Sequence, residues 1–170
     1  MTVRRITQLA LLTTIALIIF IVELRIPNIV PIPGVKLGLS NIVTVYAMYH
    51  FTAKETIMIV FARILLGSIF GGNISTIFYS LGGALLCLAG MMLIPHIIDE
   101  KYIWICSILG AVLHNIGQIS VAVVMMKTTA VISYLSFLLV SGCIAGAFTG
   151  VCAQILIGRV GFDRIFHNEM

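Results

Sequence analysis

Between Lys101 and Lys127, and again between Lys127 and Arg159, the chain carries no charged residue. Each stretch is long enough to cross the hydrocarbon core of a bilayer, which takes about 20 helical residues. A third uncharged run separates Arg5 from Glu23. A chain of 170 residues that is 61% hydrophobic, with a mean hydropathy of +1.17, exceeds the roughly 45–50% apolar usage of soluble domains. Lipid must therefore solvate much of its surface. The expected fold is all-α, a six-helix membrane bundle forming one integral domain over residues 1–170.

Hydropathy and helix breakers place the spans near 4–24, 37–51, 54–70, 74–94, 101–126 and 130–159. The first run begins with positive charge, as a signal peptide does, but no small-x-small cleavage pattern follows it. It is read as a retained span. The second and third are short for a full crossing, and short spans thin the bilayer or stop part-way against protein. With the N-terminus inside, Arg4, Arg5, Lys54, Lys101, Arg159 and Arg164 fall on the inner side and Arg25, Lys36 and Lys127 on the outer. The positive-inside rule then puts both termini in the cytoplasm, with the protein multi-pass in a cytoplasmic membrane of bacterial type.

The outer connection, residues 25–36, holds three of the four prolines. Proline fixes its own φ and pushes the preceding residue toward extended backbone, so a stiff non-helical strap is expected there. It serves either as a simple linker or as a lid over an outward-facing pocket.

Polar residues at bilayer depth carry the functional signal. Arg63 lies midway along the third span, where an arginine costs roughly 2.5–3.5 kcal/mol on insertion scales. It must face protein, water or a bound anion. One reading pairs it with backbone carbonyls or with a carboxylate such as Glu23. The other aims its forked donors at an anionic or carbonyl-bearing ligand. In "GAVLHNIGQIS", His114 and Gln118 share a helix face and Asn115 sits about 100° away, so the three are expected in one broad sector. Hydrogen bonds between membrane helices are worth only about 0.6–2 kcal/mol, which makes three such residues expensive as glue alone. Asn41 in the second span, Asn73 beside "FGG" and Lys36 at the end of the strap are expected to complete a polar rim.

Small residues supply a packing code. Gly142, Gly146 and Gly150 recur every four residues in the last span, a pattern that lets membrane helices approach closely. Ala10 and Thr14 form a small patch on the first helix, read as internal packing or as a docking surface for another membrane subunit.

Several chemistries are missing from the pattern. There is no H-E-x-x-H, no G-x-S-x-G and no phosphate-binding P-loop. The carboxylates Glu23, Glu55, Asp99, Glu100, Asp163 and Glu169 do not cluster as magnesium–diphosphate chemistry requires. The four cysteines sit in apolar runs without a C-x-x-C pair, and no metal site is expected. A net charge of +4 without a basic cluster makes nucleic acid an unsuitable partner. These features favour a binding subunit that borrows energy from partners over an enzyme.

The segments "PIPGVKLGLSNIV", "RILLGSIFGG", "SLGGALLCLAGM" and "GAVLHNIGQ" together resemble the Gx transporter family, whose members are often labelled heptaprenyl diphosphate synthase component I. That family in turn is similar to the substrate-capturing S components of energy-coupling-factor (ECF) transporters. The resemblance implies six helices, an outer pocket beneath the first connection, and a vitamin- or cofactor-like cargo. It also implies a transmembrane coupling subunit and two cytoplasmic ATPases as partners, so ATP is used by those subunits and no cofactor is bound directly. Lys36, Asn41, Arg63, His114, Asn115 and Gln118 are the motif residues it carries over. S components often dock through an alanine-x-x-x-alanine pair, for which Ala10 and Thr14 are the nearest equivalent here. The paired aspartate-rich motifs of prenyl synthases are missing, which leaves a role in prenyl or quinone metabolism as accessory.

Overall fold

The computed structural model describes residues 2–25, 38–71, 76–93 and 102–159. Among them are six α-helices: α1 (Val3–Arg25), α2 (Asn41–His50), α3 (Ala53–Phe70), α4 (Thr76–Leu93), α5 (Ile103–Met126) and α6 (Leu135–Arg159). No strand occurs among the described residues. Three segments, Val3–Glu23, Ile103–Met126 and Thr129–Gly158, are long and apolar enough to cross a membrane, and Ile77–Leu93 is a shorter apolar helix. The protein is a membrane protein. In α3, Lys54, Glu55 and Arg63 interrupt the apolar character of its 18 residues.

The helix ends follow local chemistry. Thr52 caps α3 through a capping box, its hydroxyl accepting from the Glu55 amide while its own N–H donates to Glu55 Oε2 at 2.9 Å. Two residues therefore suffice to turn α2 into α3. Lys127 ends α5 in the left-handed conformation, φ 50°. The expected start of the last span at residue 130 falls within a 3-10 segment, Thr129–Tyr134, and the α-helix proper begins at Leu135. Thr128 accepts from the Ala130 amide and fixes that turn.

The most extensive packing is that of α5 against α4 on one side and α6 on the other. Glycine makes both seams possible. A Cβ at Gly117 would stand 2.4 Å from the Gly82 carbonyl oxygen, and one at Gly150 would stand 2.5 Å from the Trp104 Cα. Gly146 likewise faces the Ile108 Cα. The glycine repeat of the last span is thus the α5 contact surface. On the other side of the molecule α1 packs mainly on α3, where the ring of Phe20 fills the space beside Gly67.

The short helix α2 is the enclosed one. Val43 to Ala47 are all buried. Val43, Tyr46 and Ala47 join Leu9, Leu12, Ala16 and Ile59 in one core cluster, whereas Val45 joins Cys87, Met91, Cys106 and Ala153 in another. Every longer helix carries large exposed apolar side chains, such as Ile18, Phe70, Leu85, Val124 and Ile144, but α2 carries none. Ten helical residues rise only about 15 Å. Protein therefore surrounds α2, which starts about half a hydrocarbon core away from its junction with α3.

That junction is clasped by Arg5 of α1. Its guanidinium donates to both Glu55 oxygens, at 2.8 and 2.9 Å, and lies 4.3 Å from the centroid of the Phe51 ring. The pair is partly exposed, at 34% and 12%, so solvent weakens it. Arg5→Ala is expected to cost about 1 kcal/mol, read as a thermal midpoint lower by about 2–4 °C in detergent.

Candidate functional site

The entry to α2 is where buried charge collects. Arg63, in the middle of α3 and 7% exposed, donates through Nη1 to Ser40 Oγ at 2.6 Å and to Asn41 Oδ1 at 3.3 Å. Glu23, near the end of α1, is buried as well and accepts from the Gly38 amide. The hydrogen bonds donated by the guanidinium run to the neutral Ser40 and Asn41. The turn 38–41 is thus held between an acid on α1 and a base on α3.

Gly38 suits that position because its φ is +74°, a region that costs other residues about 1–2 kcal/mol. A Cβ there would also approach Asn41 Nδ2 to 3.0 Å. Gly38→Ala is expected to destabilise by about 1–2 kcal/mol, measurable as earlier unfolding in a denaturant titration.

Asn41 faces Arg63 and also lines a cavity. Its other walls are Gly38, Thr44 and Val45, Cys87 and Met91 of α4, Ser107, Gly110 and Ala111 of α5, and Gly146 and Thr149 of α6. Ser107 and Thr149 are hydrogen-bonded to each other in its wall at 3.0 Å. The cavity has about 20 Å³ of room, enough for one or two waters. No charged side chain among the described residues lines it. Among the described residues no group of three or more His, Cys, Asp and Glu could hold a metal ion.

The residues expected in one polar sector are distributed. His114 and Gln118 lean on α4: a Cβ at Gly83 would meet the His114 ring at 2.8 Å and Gln118 Cγ at 2.9 Å. Asn115 points the other way. Its Nδ2 donates to the Leu138 carbonyl at 2.7 Å and would meet a Cβ on Gly142. The 100° step along α5 carries it from the α4 seam to the α6 seam, where it joins helices. The single-sector expectation therefore does not hold for Asn115.

Asn41, at the start of α2, is bonded to Arg63 in the middle of α3. Lys36, Asn73 and residues 26–36 of the strap lie outside the described residues. Ala10 and Thr14 are both exposed on α1, and the Thr14 hydroxyl donates back to the Ala10 carbonyl at 2.8 Å. The outward face there is consequently small and apolar, flanked by exposed Leu11, Ile15 and Ile18.

Sequence reasoning missed Ser40, Thr44, Ser107 and Thr149 as site residues. The usable signal was the small hydroxyl residue beside the glycine repeat, Thr149 between Gly146 and Gly150. Cys87 and Met91 gave no signal, since soft apolar residues read as packing.

Comparison with known proteins gives one match: the family described as heptaprenyl diphosphate synthase component I, over residues 12–156. No curated protein matches the chain, and no solved structure matches it. Since the match covers most of the sequence and both sides of the cavity, the chain belongs to the heptaprenyl diphosphate synthase component I family.

Proposed function

We propose that this protein is the membrane-embedded substrate-binding subunit of an importer of the ECF type. Its six helices form one membrane-embedded bundle with both termini in the cytoplasm, and it captures a small vitamin- or cofactor-like molecule from outside. The observation that carries this reading is the buried Arg63–Asn41 pair beside a cavity shared by α2, α4, α5 and α6. Polar groups at bilayer depth are costly and mark ligand pathways, and here one of them meets a void. Arg63, Asn41, His114 and Gln118 form the binding region. Asn115, bonded to the Leu138 carbonyl, positions α6 in this reading.

The energy for delivery comes from partners. A transmembrane coupling subunit and two cytoplasmic ATPases reorient the bundle, and this chain itself hydrolyses nothing. The exposed Ala10–Thr14 patch of α1 is the docking surface for the coupling subunit, because small residues allow close helix approach in lipid.

The family's own description favours a second reading, an accessory membrane subunit of prenyl diphosphate or quinone metabolism. Affinity purification from native membranes separates the two. Recovery of a coupling subunit with ATPases supports import. Recovery of a soluble prenyl synthase without them supports the accessory role. Reporter fusions at each end are expected to place both termini inside, and an outward-facing terminus would overturn this arrangement.

A further inference from the structure

The capture reading leaves open what chemical group the cavity accepts, and the hydrogen bonding around Asn41 addresses that. An asparagine amide has one accepting and one donating end. The Arg63 guanidinium occupies the accepting end, Oδ1, at 3.3 Å. The donating end, Nδ2, is then turned toward Gly38, where a Cβ would come within 3.0 Å of it. Gly38 and Asn41 are neighbours in the cavity wall. Arg63 is itself buried behind that wall and is absent from the lining, and the remaining polar liners, Thr44, Ser107 and Thr149, are hydroxyls.

We infer that Asn41 is the ligand-contacting residue of this cavity, that Arg63 is a positioning residue which fixes the Asn41 amide with its N–H groups presented, and that the group received is an uncharged hydrogen-bond acceptor such as a carbonyl or ether oxygen. This rests on the capture reading. Among the described lining residues a carboxylate or phosphate would meet hydroxyls, an amide and two sulfur side chains but no cation, and an ion desolvated without a partner is penalised far more than a neutral oxygen. A neutral acceptor, by contrast, uses the one donor whose orientation a buried charge already holds.

The test is to purify the protein from its own cells, extract what is bound, and identify and quantify it by mass spectrometry for wild type, Asn41→Asp and Arg63→Lys. Asn41→Asp preserves shape and gains an ion pair with Arg63, so the fold is kept while the donor is lost. Wild type is expected to carry a neutral molecule with an acceptor oxygen. Asn41→Asp is expected to retain it at least about tenfold less, the effect of one buried donor. Arg63→Lys, which still offers a donor to Oδ1, is expected to retain more than Asn41→Asp does. Should Asn41→Asp not accumulate in membranes, Thr149→Val on the facing wall is expected to give a similar loss. A bound molecule whose only polar groups are anionic, or undiminished retention by Asn41→Asp or by the substituting Thr149→Val, overturns this inference and leaves capture standing. A wild-type protein that carries no molecule overturns both.

Discussion

Gly117→Val is expected to unfold far more readily than wild type, by about 3 kcal/mol, the upper end of ordinary overpacking. The reason is that the new side chain meets backbone and not a yielding side chain. Its Cβ would lie 2.4 Å from the Gly82 carbonyl oxygen and 2.9 Å from the Gly83 Cα, so α4 and α5 must separate along their whole seam. That separation also shifts Gly83 away from His114 and Gln118, which rest on it. Gly158→Ala is the matched control, because nothing lies within 4 Å of a Cβ at that position. It is expected to leave stability unchanged or to raise it by up to about 1 kcal/mol through helix propensity. Detergent-denaturation curves of the two variants check the pair. Equal effects would mean that close approach of α4 and α5 does not hold the bundle.

Arg63→Met is the second large effect, and it falls on binding. Methionine fills much of the same volume, so the apolar packing of α3 survives. What is lost is the charged donor to Ser40 and Asn41. Hydrogen bonds to charged groups contribute about 1.5–3 kcal/mol, and a loss of that size weakens capture by roughly 10- to 100-fold. Uptake of the wild-type cargo into cells expressing the variant is expected to fall by that order. The amount of protein in the membrane should fall much less. A variant that folds and transports normally would reduce Arg63 to a structural tie between α2 and α3.

How much of this was legible in the sequence depended on how local each signal is. The three long uncharged runs read directly as helices, because a single apolar segment of that length satisfies its own backbone in lipid only as a helix. Helix α1 was expected over 4–24 and occupies Val3–Arg25. Arg63 stood out for the same reason, since its cost at depth demands a partner. The partner's identity was not legible, because Ser40 and Asn41 approach through a turn outside any helical period. Asn115 illustrates a different limit. Periodicity fixes the angle between His114 and Asn115 on α5, but not which neighbouring helix stands at each angle. With α4 on one side and α6 on the other, a single step separates a residue resting on Gly83 of α4 from one spent on the Leu138 carbonyl. The cavity itself arises where four helices meet, and its walls are hydroxyls, sulfurs and small residues that look like packing in any one segment.

The half-length of α2 links these points. An apolar helix of ten residues cannot cross a bilayer, so its start lies inside the protein and brings Gly38, Ser40 and Asn41 to the depth of Arg63. A polar turn at that depth needs buried charges to satisfy it. Glu23 and Arg63 meet that need from the two helices packed beside it.

Native mass spectrometry of the wild-type protein, released gently from the membranes of its own cells, tests the central claim most directly. The account predicts a peak heavier than the chain by one small molecule, present in near-stoichiometric amount and removed by Arg63→Met. A stable, folded protein found only at its bare mass, or bound solely to a soluble prenyl synthase, would contradict it.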